Sequence, residues 1–294
     1  MARAPLNVSH LQIKQRIPQN LSSSDGKFLN VNSVCALSDY EVLLAVDDEV
    51  PRVLSLDTEE SRPFAARDPI SIRNMRRVAF DVHTDTLLLL VNDTNKYKLV
   101  TLGRNTSNSS EWFQVERIST DILVTGHRPN IAVCDSRVLI PDWDRHTVYV
   151  FDVNAEHNVS VVGSVPDSRD IHKLACFRRD NDTLVAFSHL NSTSLNGLTS
   201  SPLSLKELWR VGIINPYELV FYKELLLIAD LVNNNQTHKS HNIMSFRVSD
   251  SELKENRELL ASEVNVYVRA WALAGERLVL WDENSWNLLV YALE

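Results

Sequence analysis

Glycine is scarce in this chain, at seven residues in 294, and cysteine scarcer still, at three. No Gly-rich phosphate loop, Gly-X-Ser-X-Gly elbow or Cys-X-X-Cys pair occurs, so phosphate cradles, the hydrolase elbow and dithiol redox chemistry are not expected. Long apolar runs are missing too. The longest hold four to five aliphatic residues, far below the ~20 that cross a bilayer as a helix. The opening Met1-Ala2-Arg3-Ala4-Pro5-Leu6-Asn7 turns polar at once, unlike the apolar core of a secretory leader. Positive charge is in deficit. With 30 Lys and Arg against 38 Asp and Glu, the net charge is −8, which argues against a general surface for nucleic-acid phosphates. Local basic spots at Arg73, Arg76 and Arg77, and at Arg178 and Arg179, read as solvated loop charges.

Three cysteines cannot all pair. Cys35, Cys134 and Cys176 sit in similar contexts after Val34, Val133 and Ala175, which predicts three buried free thiols and a reducing compartment. Nine Asn-X-Ser/Thr sequons pull the other way, at Asn7, Asn20, Asn92, Asn105, Asn108, Asn158, Asn181, Asn191 and Asn235. The expectation is a cytoplasmic protein whose loops use Asn, Ser and Thr to make turns. A leader ahead of the chain would reverse that to secretion and glycosylation.

What the chain does have is a repeat. A phrase of aliphatic residues ending in a small polar one occurs six times: Leu43-Leu44-Ala45-Val46-Asp47, Leu89-Leu90-Val91-Asn92, Leu139-Ile140-Pro141-Asp142, Val185-Ala186-Phe187-Ser188, Leu227-Ile228-Ala229-Asp230 and Val279-Leu280-Trp281-Asp282. The polar anchors are 45, 50, 46, 42 and 52 residues apart, a period that marks one repeated supersecondary unit. The third unit reads as four strands, Asn130–Asp135, Arg137–Pro141, Thr147–Asp152 and Val159–Val165, bounded by turn residues. No convincing helical periodicity interrupts the units. The best helix candidate, Ser251–Ala261, also reads as a decorated outer strand.

Six four-stranded units predict an all-β fold, a six-bladed β-propeller. The last unit offers Val268–Leu273, Arg277–Trp281 and Asn287–Leu293 and then ends one strand short. Asn7–Ile17 alternates apolar Leu11 and Ile13 with polar neighbours, so this N-terminal strand is expected to complete the last blade. The whole chain, 1–294, is expected to be one domain, with blades near 28–67, 71–120, 128–166, 170–213, 216–261, and 266–294 plus 7–17.

The anchor, followed in units one, three and six by an apolar strand residue (Val53, Val148, Leu288), resembles the NHL-like and lactonase-like propeller superfamily; Asp142–Phe151, with His146 inside it, carries the likeness best. The lactonase resemblance would imply inner-strand metal ligands, with Asn32, Asn130, His172 and Glu218 as the candidates here. The opening Glu-Gly-Pro-type motif of those enzymes is missing, so neither a metal nor a cofactor is expected. His238 and His241 read as members of a polar loop rather than a zinc site.

Asp47, Asn92, Asp142, Ser188, Asp230 and Asp282 are assigned as turn caps, since short polar side chains accept backbone N–H bonds at tight turns. Loops joining second to third strands share a face with the links between blades. The ligand candidates on that face are Trp143, Trp286, Tyr97, Arg145, His146, His172, Tyr217 and Tyr267, because aromatic and Arg residues dominate interface hot spots. Trp271 and Trp281 are expected to pack between blades. Two spans, His189–Pro202 and Leu231–Asn242, are expected to be long loops on the binding side.

The functional expectation is a monomeric binding module that recognises a protein or peptide on the aromatic face. The alternative is a metal-free enzyme of cyclase or isomerase type, or a lactonase-like hydrolase, whose channel-mouth pocket takes a small apolar ligand. DNA and membrane partners are not expected, and RNA is disfavoured by the acidic balance.

Overall fold

The computed structural model describes residues 11–18, 30–46, 50–64, 75–93, 96–104, 112–117, 129–166, 171–179, 182–213, 215–235, 238–248, 258–261 and 266–293. These fold as six four-stranded antiparallel sheets. The first strand in sequence, β1 (Gln12–Pro18), belongs to the last sheet. Blade 1 comprises β2 (Val31–Ala36), β3 (Glu41–Val46), β4 (Arg52–Ser55) and β5 (Ser61–Pro63). Blade 2 comprises β6 (Met75–Asp81), β7 (Thr86–Asp93), β8 (Lys96–Arg104) and β9 (Trp112–Arg117). Blade 3 holds β10 (Ala132–Cys134), β11 (Arg137–Asp142), β12 (Thr147–Val153) and β13 (Val159–Pro166). Blade 4 holds β14 (Lys173–Arg179), β15 (Asp182–His189), β16 (Ser192–Ser200) and β17 (Leu203–Gly212). Blade 5 is β18 (Pro216–Tyr222), β19 (Leu225–Asn235), β20 (His238–Arg247) and β21 (Glu258–Ala261). Blade 6 is β22 (Val268–Ala274), β23 (Arg277–Asp282) and β24 (Asn287–Ala292), completed by β1.

The first strand of each blade touches the first strands of its neighbours, β2 to β6 to β10 to β14 to β18 to β22 and back to β2. That closed sequence makes a ring, and the chain is an all-β, six-bladed propeller. β1 pairs antiparallel with β24 from Gln12↔Ala292 to Pro18↔Asn287. The N-terminal strand thus closes the ring, as its alternation predicts.

The repeated aliphatic phrase is the second strand of each blade, and burial explains its composition. Strands exposed on one face alternate, whereas strands covered on both faces read as continuous apolar runs. Leu87 to Leu90 are all fully buried. Leu87 and Leu89 pack toward blade 1, while Leu88 and Leu90 pack toward blade 3. The same split recurs in β3, where Val42 and Leu44 face blade 6 and Leu43 and Ala45 face blade 2. The apolar core is therefore six wedge-shaped layers, one at each blade junction. Trp271 lies in the layer between blades 5 and 6 and Trp281 in that between blades 6 and 1.

Three expectations need correction. Cys134 and Cys176 are not free thiols but a disulfide, with Cα atoms 5.8 Å apart. Similar positions in successive units suggested separate thiols. The ring sets the inner strands β10 and β14 side by side, and so brings the two sulfurs together. Cys35 alone is free, and burial pushes its thiol up to about 12. Next, His189–Pro202 is not a loop: after a tight turn at Leu190 and Asn191 it is β16. Leu231–Asn242 is likewise the far end of the β19–β20 hairpin, with pairs running to Asn235↔His238. Polar Asn, Ser and Thr side chains disguised strands that pair along their length, with one register slip in β16–β17 and one in β19–β20. His241 is therefore a buried strand residue, not part of a solvated loop. Within the helix candidate, 251–257 lie outside the described residues, and Glu258–Ala261 is the outer strand β21, paired to β20.

Candidate functional site

The entry to each inner strand builds the site. In four of the six inner strands, among the described residues, the ladder slips by one residue near its start. The extra residue is Asn32 in β2, Arg76 in β6, Tyr217 in β18 and Arg269 in β22. A β-bulge leaves one residue unpaired and re-aims its side chain, which is why bulges gather at binding sites. All four bulged residues line a single cavity of about 420 Å³ at the mouth of the central channel.

The repeated aspartates hold these entries in place. Asp230 accepts the N–H of Asn215 at 2.9 Å, and Asp282 accepts the N–H of Tyr267 at 2.8 Å. Each donor lies 15 residues earlier, just before the bulged strand begins. Asp282 also takes the Asn284 N–H at 3.2 Å and the Ser285 hydroxyl. Asp142 accepts the Arg145 N–H at 3.2 Å and pairs with its guanidinium at 3.5 Å. Blade 4 differs. Its anchor is Ser188, whose carbonyl accepts the His172 N–H at 2.8 Å. There β14 pairs without a bulge, from Lys173↔Ser188 onward. The oxygen side-chain atoms of Asn92 and Ser188 are buried without a hydrogen-bond partner. Asp47 lies outside the described residues.

The mouth is cationic. Arg76, Arg77, Lys173 and Arg269 converge on it, and no Asp or Glu lines it among the described residues. Arg77 is braced by its Nε on the Pro129 carbonyl at 3.1 Å and by Nη1 on the Asn32 carbonyl. Arg269 Nη1 donates to the Tyr217 hydroxyl at 3.1 Å. Arg77 also reaches a smaller cavity of about 90 Å³ deeper in the channel, where Asn130, Glu218 and Trp271 lie. At the junction Lys173 Nζ pairs with Glu218 Oε1, and the ammonium stands 5.7 Å from the Tyr217 ring centroid. Burial, with the Arg77 charge adding to it, pulls Lys173 down to about 7, against the pull of Glu218 in the other direction. Burial pushes the Tyr217 phenol up to about 12, opposed by the Arg269 guanidinium.

Of the ligand candidates read from the sequence, Tyr97, His172 and Tyr217 line this cavity. Tyr97 faces Asn92 across the β7–β8 hairpin, and both lean on the mouth. Trp143 is at the rim, stacked on His172 with centroids 4.8 Å apart at 15°. Tyr267 is buried behind the wall, stacked on His241 at 5.1 Å and 5.8 Å from Tyr217. Arg145 and His146 are exposed in the β11–β12 turn, and Arg145 donates to the Tyr149 hydroxyl at 3.0 Å. Trp286 packs edge-on against Trp281 at 6.3 Å, in blade 6, opposite the blade 3 of Trp143 across the ring. The two tryptophans therefore do not form one surface. The inner-strand set Asn32, Asn130, His172 and Glu218 does lie along the channel. No group of three or more His, Cys, Asp or Glu placed to hold a metal occurs among the described residues.

The alternative reading puts a largely apolar pocket at the channel mouth, and the lining is polar and basic instead. Sequence reasoning missed Arg77, Lys173 and Arg269. Arg76 and Arg77 read as loop charges because two adjacent arginines alternate faces in a regular strand, and only the bulge lets both reach the channel. The available signal was positional: each of these cations falls about 13–16 residues before a polar anchor.

No family model matches the chain, and no curated protein does. Its fold is similar to several solved structures. One is a structural-genomics protein of unknown function from Bacteroides thetaiotaomicron, with 10% identity, 92% of this chain and 70% of that one covered, and a TM-score of 0.61. Another is the PQQ-bound aldose sugar dehydrogenase of Streptomyces coelicolor, with 10% identity, 96% and 97% covered, and a TM-score of 0.61. A third is the Cps50 (Swd1) β-propeller domain of Myceliophteria thermophila, with 11% identity, 90% and 83% covered, and a TM-score of 0.52. At such identities the likeness is one of fold, that of a β-propeller.

Proposed function

We propose that this propeller is a binding module whose channel mouth captures an acidic group presented by a protein or peptide. The observation that carries the reading is the concentration of Arg76, Arg77, Lys173 and Arg269 around one cavity in a chain of net charge −8. Like charges repel, so Arg76, Arg77 and Arg269, sharing one cavity with Lys173, are stabilised when an anion joins them, and the field draws that anion in. Hydrogen bonds brace Arg77 and Arg269 in advance, which lowers the ordering cost of binding. Apolar company on the same face comes from Trp143 and from the exposed Leu190 and Val232 at the ends of β15 and β19. The partner segment is therefore an acidic side chain or terminal carboxylate flanked by apolar residues.

A peptide array graded in Asp and Glu content tests this, probed at low and high salt. Binding is expected to rise with acidity and fall with salt. Reversing two charges, Arg76→Glu with Arg269→Glu, is expected to weaken the best binder about a hundredfold. Equal binding of acidic and neutral peptides, or an unchanged double variant, would sink the reading.

The Cys134–Cys176 bond and the nine sequons together support a protein that folds in an oxidising compartment. Thiol counting on denatured protein isolated from its native source is expected to find one free cysteine. Three would return the protein to a reducing compartment.

A further inference from the structure

Ion pairing alone gives a poor account of Lys173. A pair placed only to plug the channel would be best sealed among apolar residues or further acids. Lys173 Nζ instead meets a single carboxylate, that of Glu218, and its remaining surroundings are Arg77, Arg269, His172 and the Tyr217 ring. The side chain is nine-tenths buried yet forms part of the wall of an accessible cavity of about 420 Å³. A lysine that is desolvated and crowded by other cations holds its proton weakly, and a neutral amine is the form that attacks carbonyl carbon.

The cavity also supplies what such an attack needs. The carboxylate of Glu218 touches the amine and is able to carry a proton away and return it. Arg76 and Arg269, on bulges across the channel from Lys173, line the same cavity and supply guanidinium groups for a ligand carboxylate. We infer that Lys173 is a nucleophile that condenses with the keto group of a small 2-oxo acid held in the mouth, forming an imine. The inference rests on the reading of the mouth as an anion site.

The step balances without an oxidant or reductant. The Nζ lone pair forms a bond to the carbonyl carbon as the C=O π pair moves to oxygen. Glu218 relays both N–H protons in turn, the first to the alkoxide to make the carbinolamine hydroxyl and the second to that hydroxyl as it departs. The C–O bond breaks, water leaves, and the nitrogen lone pair completes C=N.

Pyruvate with cyanoborohydride, added to the full chain, tests this by intact mass and peptide mapping. The expected result is one reduced adduct, on the peptide carrying Lys173. Its rate should rise with pH through about 7, the value at which Lys173 loses its proton among Glu218, Arg77, Arg269, Tyr217 and His172. Acetone, which has no carboxylate to be held, should be trapped about tenfold more slowly. The adduct should vanish in Lys173→Met. If that variant does not fold, Arg269→Gln serves instead and should slow trapping of pyruvate but not of acetone.

Pyruvate that binds by calorimetry yet is trapped nowhere, or equally on many surface lysines, would overturn the imine while leaving the anion site standing. Failure of pyruvate to bind while acidic peptides bind would overturn it in the same way. Failure of both pyruvate and acidic peptides would remove the anion site and the imine together.

Discussion

Replacing Trp281 by alanine is expected to lower the unfolding free energy by about 3–5 kcal/mol, read from the denaturant midpoint. Trp281 is fully buried and heads the largest such side chains in the molecule. It sits in the layer where blade 6 meets blade 1, among Ile17, Val31, Leu44 and Leu288, with Trp286 edge-on at 6.3 Å. Every other junction joins blades that follow one another directly in sequence. This one joins the two ends of the chain, so losing its largest side chain weakens the closure itself. The indole N–H has no hydrogen-bond partner among the described residues. Trp281→Phe should cost less than the alanine change, because it keeps a ring in the layer and so opens a smaller cavity, while likewise leaving no unpaired donor. A loss below about 1 kcal/mol for the alanine variant would mean that the seam is not packed in this way. We propose further that the ring, 1–294, unfolds as one domain. Tryptophan fluorescence and far-ultraviolet circular dichroism should then give coincident transitions, and separated ones would divide the chain.

Glu218→Ala is expected to cost a similar about 3–5 kcal/mol near pH 6, because it leaves the Lys173 ammonium buried without its carboxylate. The cost should shrink as pH rises. Lys173 is pulled from its ordinary 10.5 to about 7 by burial first and then by Arg77, so the folded protein gives up its proton before the unfolded chain does. Between those values the unfolded state binds more protons, and stability from this group rises with pH, by at most about 1.4 kcal/mol per unit. Below about 7 both states are protonated and the full penalty of a buried cation is present. Removing Glu218, which favours the charged form, extends the rising window downward. Denaturant titrations of wild type and variant from pH 6 to 9 check this. A deficit that is constant or grows up to about pH 7 would show that Lys173 stays charged in the folded variant. Above about 7, where wild type and variant both hold it neutral, the deficit should level off. The raised Tyr217 phenol and Cys35 thiol act oppositely and only above that range, where the unfolded chain loses those protons first.

The architecture was legible because its physics is local and repeated. A second strand buried on both faces must be aliphatic throughout, and it recurs once per blade, so Leu87–Leu90 and its counterparts announce the period. A missing fourth strand at one end and a spare alternating strand at the other announce the closure. The site was legible only in part. Tyr97, His172 and Tyr217 stood out as aromatic or titratable residues near turns, and the structure places all three on the cavity wall. Trp143 and Trp286 group together because each follows a capping aspartate in a polar turn, by one and four residues, yet one stacks on His172 and the other packs edge-on against Trp281.

Sequence by itself determined the number of blades, the strand that completes the ring and the residues that fill each junction, since all three follow from hydrophobic periodicity along the chain. Tertiary structure decided the rest, because it depends on neighbours some 45 residues apart. Ring closure set Cys134 against Cys176 and Lys173 against Glu218. One-residue slips in four ladders turned Asn32, Arg76, Tyr217 and Arg269 toward the axis. A bulge has no reliable sequence signature, and charges scattered across three blades become a cationic mouth only when the strands that carry them converge.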